Sequence, residues 1–274
     1  MSMNSAEFRE RQFDGPYEII GIEVNNDGEL IRGILYYPPK EYQKPYPIIV
    51  YFHGFPQLFP LTEIVKNYHY LLDEGYALLI FNFRGYRFSE GTVSLGSQLS
   101  DSIKIIEFCK ALAHMGILDS SSINVIGEDF GAYISLLLIA NVNLINKLLL
   151  VSPIINPHRH VHGDNFIKVI QYITHFLPGN IRGIENLEEF VDQAKNETEI
   201  AAYQVDNFVE QMNFQSIKII MGSDDTLTPI SEIKSILKPI LKKIEISVID
   251  GMDHEPLSEQ ELIHVQALIK NYFQ

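Results

Sequence analysis

Asp129 stands in the run Ile126-Gly127-Glu128-Asp129-Phe130-Gly131-Ala132, where a short β-branched strand pattern gives way to an apolar helical one. Glycine two positions before and two after lets the backbone make a sharp, strained turn without Cβ clashes. Such a turn lifts the Asp129 side chain above the carboxyl edge of a sheet. Free N–H groups and the positive dipole end of the following helix favour an anion there. A carboxylate in that place has no proton to give up. It can displace a leaving group from a saturated carbon and leave an ester on itself. The plainer reading is helix capping, since Asp is a preferred N-cap. Reactive residue types also gather in Gly222-Ser223-Asp224-Asp225-Thr226-Leu227-Thr228-Pro229 and in Gly251-Met252-Asp253-His254. An imidazole there titrates near physiological pH, while paired aspartates equally suit turn hydrogen bonding.

The elements that must position these residues read as alternating strands and helices. YEIIGIEV (17–24) and LIRGILYY (30–37) flank Asn25-Asn26-Asp27-Gly28, an antiparallel hairpin signal. Apolar strands at 47–53, 77–83, 122–127 and 147–152 are separated by helical patterns at about 61–73, 97–114 and 129–140. Continuous apolar strands between helices predict a mostly parallel sheet covered on both faces. Residues 157–210, rich in His, Asn and Glu, interrupt the pattern. Strands at 217–222 and 244–250 restore it, with helices at about 230–239 and 258–272, the last opened by a Ser258/Glu261 capping box. The expected division is a core of 1–156 plus 211–274 and a helical cap insertion at 157–210.

The 274 residues carry a net charge of -14, which argues against a protein that tracks nucleic-acid phosphates. The single cysteine, Cys109, excludes a disulfide framework and a Cys-rich zinc site, and falls on an apolar helix turn as a buried thiol. No apolar run approaches the length of a membrane span. Residues 1–15 lack the apolar centre of a secretory signal, so a cytoplasmic protein is expected. Oligomeric state has no signal.

Four motifs in order resemble the α/β-hydrolase family. His53-Gly54-Phe55-Pro56 resembles its oxyanion-hole segment. Phe83-Arg84-Gly85-Tyr86-Arg87-Phe88-Ser89-Glu90-Gly91 resembles its Arg-Gly-x-x-x-Ser-x-Gly loop, 127–131 its nucleophile turn, and the two C-terminal loops those bearing its acid and histidine. The resemblance spans about 17–272 apart from the insertion. It implies the α/β-hydrolase fold, with a mostly parallel eight-stranded sheet and helices on both faces. It implies a triad of Asp129, His254 and Asp225, with Asp224 the rival for the acid, and backbone N–H donors from Phe55 and Phe130. His53 and Arg84 then brace their loops.

The texture around 83–91 is similar to the esterase and acyl-peptidase-like branch, which uses Ser where this chain has Asp129. Gly-x-Asp-x-Gly with His-Gly-Phe-Pro instead resembles epoxide hydrolases and dehalogenases, which use Asp. The resembled haloalkane dehalogenases hold halide with Trp N–H groups, and this chain has no Trp. The resembled epoxide hydrolases use cap tyrosines, for which the insertion offers Tyr172 and Tyr203; core packing is their ordinary alternative. The run His158-Arg159-His160-Val161-His162-Gly163-Asp164 could set three imidazoles on one strand face for a metal, but without a strand signal it reads as a loop or solvated face that begins the cap and borders the pocket, with no metal expected. The expected function is hydrolysis of a small organic molecule, with Asp129 as nucleophile, His254 activating water, and no cofactor required. The alternatives are an acyl hydrolase with an altered nucleophile and a non-catalytic protein that binds a ligand in the same pocket.

Overall fold

The computed structural model describes residues 6–8 and 12–274; the N-terminal targeting expectation falls partly outside them. Among the described residues, ten strands form one sheet. They are β1 (Ala6–Phe8), β2 (Gln12–Asp14), β3 (Tyr17–Asn26), β4 (Glu29–Tyr36), β5 (Tyr46–Phe52), β6 (Ala77–Phe81), β7 (Leu118–Glu128), β8 (Lys147–Val151), β9 (Ser216–Gly222) and β10 (Ile244–Ile249). The order is β1-β3-β4-β6-β5-β7-β8-β9-β10, with β2 also on β3. From β6 to β10 every pairing is parallel, while β1 to β4 pair antiparallel. Eight strands are the long ones expected. The other two are three-residue strands along β3, too short to carry a period of their own.

The β3–β4 hairpin turns through Asp27 and Gly28, both at positive φ (56° and 93°), with Asn26 facing Glu29. Asp-Gly suits this two-residue turn because its backbone twist needs positive φ at both positions.

The helices are α1 (Leu61–Lys66), α2 (His69–Asp73), α3 (Leu95–His114), α4 (Phe130–Asn141), α5 (Pro157–Val161), α6 (Asp164–Phe176), α7 (Leu187–Thr198), α8 (Val205–Phe208), α9 (Ile230–Ile236) and α10 (Glu259–Phe273). The single helix expected over 61–73 is two, because Tyr68 leaves helical geometry (φ -125°, ψ 2°). Both long flanking helices start on reciprocal caps, Ser94 with Ser97 and Ser258 with Glu261. None of the helices described is long and apolar enough to cross a membrane.

Both faces of the central strands are buried, as continuous apolar strands require. Along β5, Ile48, Val50 and Phe52 face the layer of α3 and α4, while Ile49 and Tyr51 face that of α1, α2 and α10. Helices α5 to α8 occupy the connection between β8 and β9. Its midpoint is clasped to the loop after β6: the Arg87 amide donates to the Asn180 carbonyl (2.9 Å), Arg182 to Gly85 (2.7 Å) and Val93 to Arg182 (3.0 Å). The Arg182 guanidinium donates to the Gly91 and Arg87 carbonyls.

Candidate active site

Asp129 is the pivot between β7 and α4, at φ 51° and ψ -117°. Positive φ is uncommon for a residue with a Cβ and persists where surrounding structure enforces it. Here the Asp129 amide donates to Val151 (3.0 Å) and its carbonyl accepts from Ile154 (3.1 Å). The flanking glycines permit close approach. A Cβ at Gly131 would stand 2.2 Å from the Phe52 carbonyl oxygen, and one at Gly127 would stand 2.5 Å from Ser135 Oγ. The Asp129 side chain makes no capping hydrogen bond to α4, so the capping alternative does not describe it.

The carboxylate instead divides its oxygens. Oδ2 accepts the Phe55 amide at 2.7 Å, and Oδ1 lies 3.2 Å from His254 Nε2. His254 Nδ1 is 2.9 Å from Asp225 Oδ2, and Asp225 Oδ1 accepts the Thr228 amide at 2.8 Å. Asp225 and His254 are buried. Their loops press together so tightly that a Cβ at Gly222 would meet the Met252 carbonyl oxygen at 1.9 Å. Asp224 is exposed, and its Oδ1 accepts the Ser223 hydroxyl. Phe130 begins α4, where an amide has no partner within the helix.

Electrostatics at the histidine are lopsided. Burial opposes an imidazolium, but hydrogen bonds and charge from Asp129 and Asp225 on its two sides outweigh that and raise the His254 pKa to about 10. His53 shows the opposite case, with burial lowering its pKa to about 4. As a neutral ring, its Nε2 accepts the Phe83 amide (3.2 Å), so Nδ1 carries the hydrogen donated to the Gly54 carbonyl (2.9 Å). This bond braces the Phe55 loop. Arg84 pairs with the fully buried Asp101 at 2.7 Å, which also accepts from Asn26.

Two cavities meet at Asp129 and His254. One, about 510 Å³, runs beneath α6 and is lined by Phe55, Leu58, Phe166, Val169, Tyr172 and Ile173, with His160, Asn165, Lys168 and Glu255 as further polar groups. The other, about 340 Å³, lies toward α1 and α10 and includes Tyr51, Tyr68, Glu128 and Ser152. Glu128 accepts the hydroxyls of Tyr51 (2.5 Å) and Tyr68. Burial raises its pKa beyond what these donors take back. Ser152 sits at φ 45° with its hydroxyl buried and unpartnered.

Tyr172 is more than half exposed and borders the larger cavity. Tyr203 is not brought there. It lines a separate cavity with Pro157 and Glu199, its carbonyl accepts the Tyr133 hydroxyl, and its own hydroxyl sits over Gly96. That correction follows from packing: the segment after α7 lies against α3 and α4. Glu128 is a site neighbour the sequence reading missed, while His160 belongs to the run expected to border the pocket and lines the larger cavity. His160 lies on a helix, turned opposite to His158 and His162 against Phe166, and burial lowers its pKa. The signal for Glu128 was a carboxylate that follows the apolar run Val125-Ile126-Gly127 at the end of β7.

A family model for the alpha/beta hydrolase fold matches residues 47–192. The chain belongs to this family. A curated relative, the uncharacterised protein RP471 of Rickettsia prowazekii (strain Madrid E), is 28% identical over 175 residues, 60% of this chain and 63% of that one. The match thus spans under two thirds of the relative's length. Among solved structures, Est1E from Butyrivibrio proteoclasticus superposes with a TM-score of 0.67 at 18% identity, covering 92% of this chain and 97% of that one. The acetyl xylan esterase from Paenibacillus sp. R4 gives 0.67 at 17% identity over 97% and 88%. An esterase of Pyrococcus furiosus gives 0.67 at 18% over 93% and 90%. At these identities the likeness shows the fold. The family assignment supports a hydrolase.

Proposed function

We propose that this hydrolase acts on a small, largely apolar organic molecule by attack of the Asp129 carboxylate on a saturated carbon, an epoxide being the class that fits best. The observation that carries this reading is the division of the two oxygens. Oδ2 is seated on the Phe55 amide, which leaves Oδ1 facing His254 and the open cavity.

Oδ1 forms the new C–O bond as the ring C–O bond breaks, and the alkoxide takes a proton that leaves the His254 imidazolium, Tyr172 passing its own proton on and being reprotonated from His254. The ester that results has lost the Asp129 charge. His254 then retains one carboxylate partner, and burial favours its neutral form. Neutral His254 takes a proton from water as that water attacks Cγ of the ester. Oδ2 becomes the oxyanion, with the Phe55 amide and the Phe130 amide as its donors. Collapse breaks the bond to the product alcohol, which takes its proton from His254. Residues 157–210 serve as the cap over the substrate.

The test is a single turnover of an aryl epoxide in ¹⁸O-water. The expected result is label in the peptide containing Asp129 and none in the diol. Label in the diol alone overturns the covalent route. A second reading, acyl hydrolysis, draws support from the esterases among the structural neighbours. Against it, Oδ2 occupies the seat that a substrate carbonyl oxygen needs. Gain of p-nitrophenyl ester turnover by Asp129→Ser, with no epoxide turnover by the unmodified protein, favours this second reading.

A further inference from the structure

We propose that His158, His162 and Glu199 form a site for a divalent transition-metal ion of the zinc type, joining α5 to α7 on the outer side of the helical connection. His158 lies in α5 and His162 is its C-cap, four residues on, so both imidazoles leave the same face. Their rings stack with centroids 4.3 Å apart and planes at 28°. Glu199 arrives from the C-cap of α7, with Oε1 2.7 Å from His158 Nε2. One ligand atom from each of the three side chains lies within 4.8 Å of the others. Among the described residues, this is the group of His, Cys, Asp and Glu close enough to hold a metal.

The chemistry of the set is specific. His162 Nδ1 lies 2.8 Å from the His158 carbonyl, which can only accept. Nδ1 therefore carries the hydrogen and Nε2 presents a lone pair. This is the second hydrogen bond by which metal-binding imidazoles are commonly oriented. Two imidazoles and a carboxylate suit zinc, with bonds of about 2.0–2.2 Å and a remaining position for water. His158 and Glu199 are 46% and 61% exposed, so an ion can enter and the side chains can close on it. Arg159, between the two histidines, turns away to Glu232 at 2.8 Å and places no cation in the site.

The site reaches the larger cavity through the same two helices. His160 leaves the opposite side of α5 toward Asp129, and Phe190 of α7 stacks on Phe55 and Phe166. An ion joining His158 and His162 to Glu199 fixes the spacing of these inner faces.

The test is calorimetric titration of zinc into the chelator-treated full chain, with cobalt absorption reporting the ligand set. The proposal expects one ion per chain. Binding should weaken by more than about tenfold in His162→Ala and in Glu199→Gln, and should be retained in His254→Ala, which removes the triad imidazole. Zinc should raise the melting temperature of the unmodified protein and leave that of Glu199→Gln unchanged. Glu199→Gln preserves side-chain shape, so it reads the site if His162→Ala disturbs α5. No stoichiometric binding, binding unaffected in both variants, or binding lost only in His254→Ala overturns the assignment.

Discussion

A Cβ on Gly54 would stand 2.4 Å from Oδ2 of Asp129. The missing side chain is what lets this oxygen reach the Phe55 amide one residue further on. Gly54→Ala should push the carboxylate off that amide with little disturbance of the core. The expected outcome is a kcat reduced about 10²-fold, the usual cost of a roughly 1 Å misplacement of a reacting group, with the melting temperature nearly unchanged. Steady-state kinetics beside a thermal melt check both halves.

Asp225→Asn keeps the shape of the acid and removes its charge beside His254. Attack by Asp129 does not require that charge, whereas activation of water by His254 does. Ester formation should therefore survive while its hydrolysis slows by on the order of 10⁴-fold, the scale seen when a triad acid is neutralised. Intact-protein mass spectrometry soon after mixing with an aryl epoxide should show a substrate-sized adduct on this variant. Absence of the adduct, with activity lost, counts against the ester.

The raised pKa of His254 makes folding depend on pH in the alkaline direction. Its ordinary value is 6.5 and its folded value about 10. The folded state therefore holds the proton more tightly, and the imidazolium's stabilisation is fully present below about pH 6.5. That contribution is lost as pH rises toward 10. The urea midpoint should fall across this window. In Asp129→Asn, with one carboxylate fewer beside the ring, the fall should be shallower. Parallel slopes for the two proteins would show that the ring is not coupled to Asp129.

Tyr172 and Tyr203 should separate cleanly. Tyr172→Phe is expected to lower epoxide turnover by about 10²-fold, the low end for loss of a general acid, without moving the melting temperature. Tyr203→Phe, whose ring sits in another cavity, should leave turnover unchanged. Equal kinetic effects from the two substitutions would remove Tyr172 from the mechanism.

The strands and the turn at Asp129 were legible because their signals are local. Alternating apolar residues cover two faces of β5, Asp27-Gly28 admits positive φ twice, and Gly127 and Gly131 flank a strand-to-helix junction. What escaped was contact between distant segments. Glu128 meets Tyr51 and Tyr68 from 77 and 60 residues away. The facing of His160 depended on the run 158–162 being a helical turn rather than a loop. Tyr203 was separable from Tyr172 only by where the chain travels after α7. The break between α1 and α2 had no glycine or proline to mark it.

The clasp between 85–93 and 180–183 bears on how this chain could be rebuilt. The helical connection is riveted to the core at its middle as well as tied at both ends, so it is not a detachable module. Helices α5 and α6 lie before the clasp in the chain and α7 and α8 after it, and the two halves pack on each other through Phe166 and Phe190. A chimaera that exchanges these helices for a relative's must therefore bring its own version of 85–93, or the clasp at 180–183 will find no partner on the core.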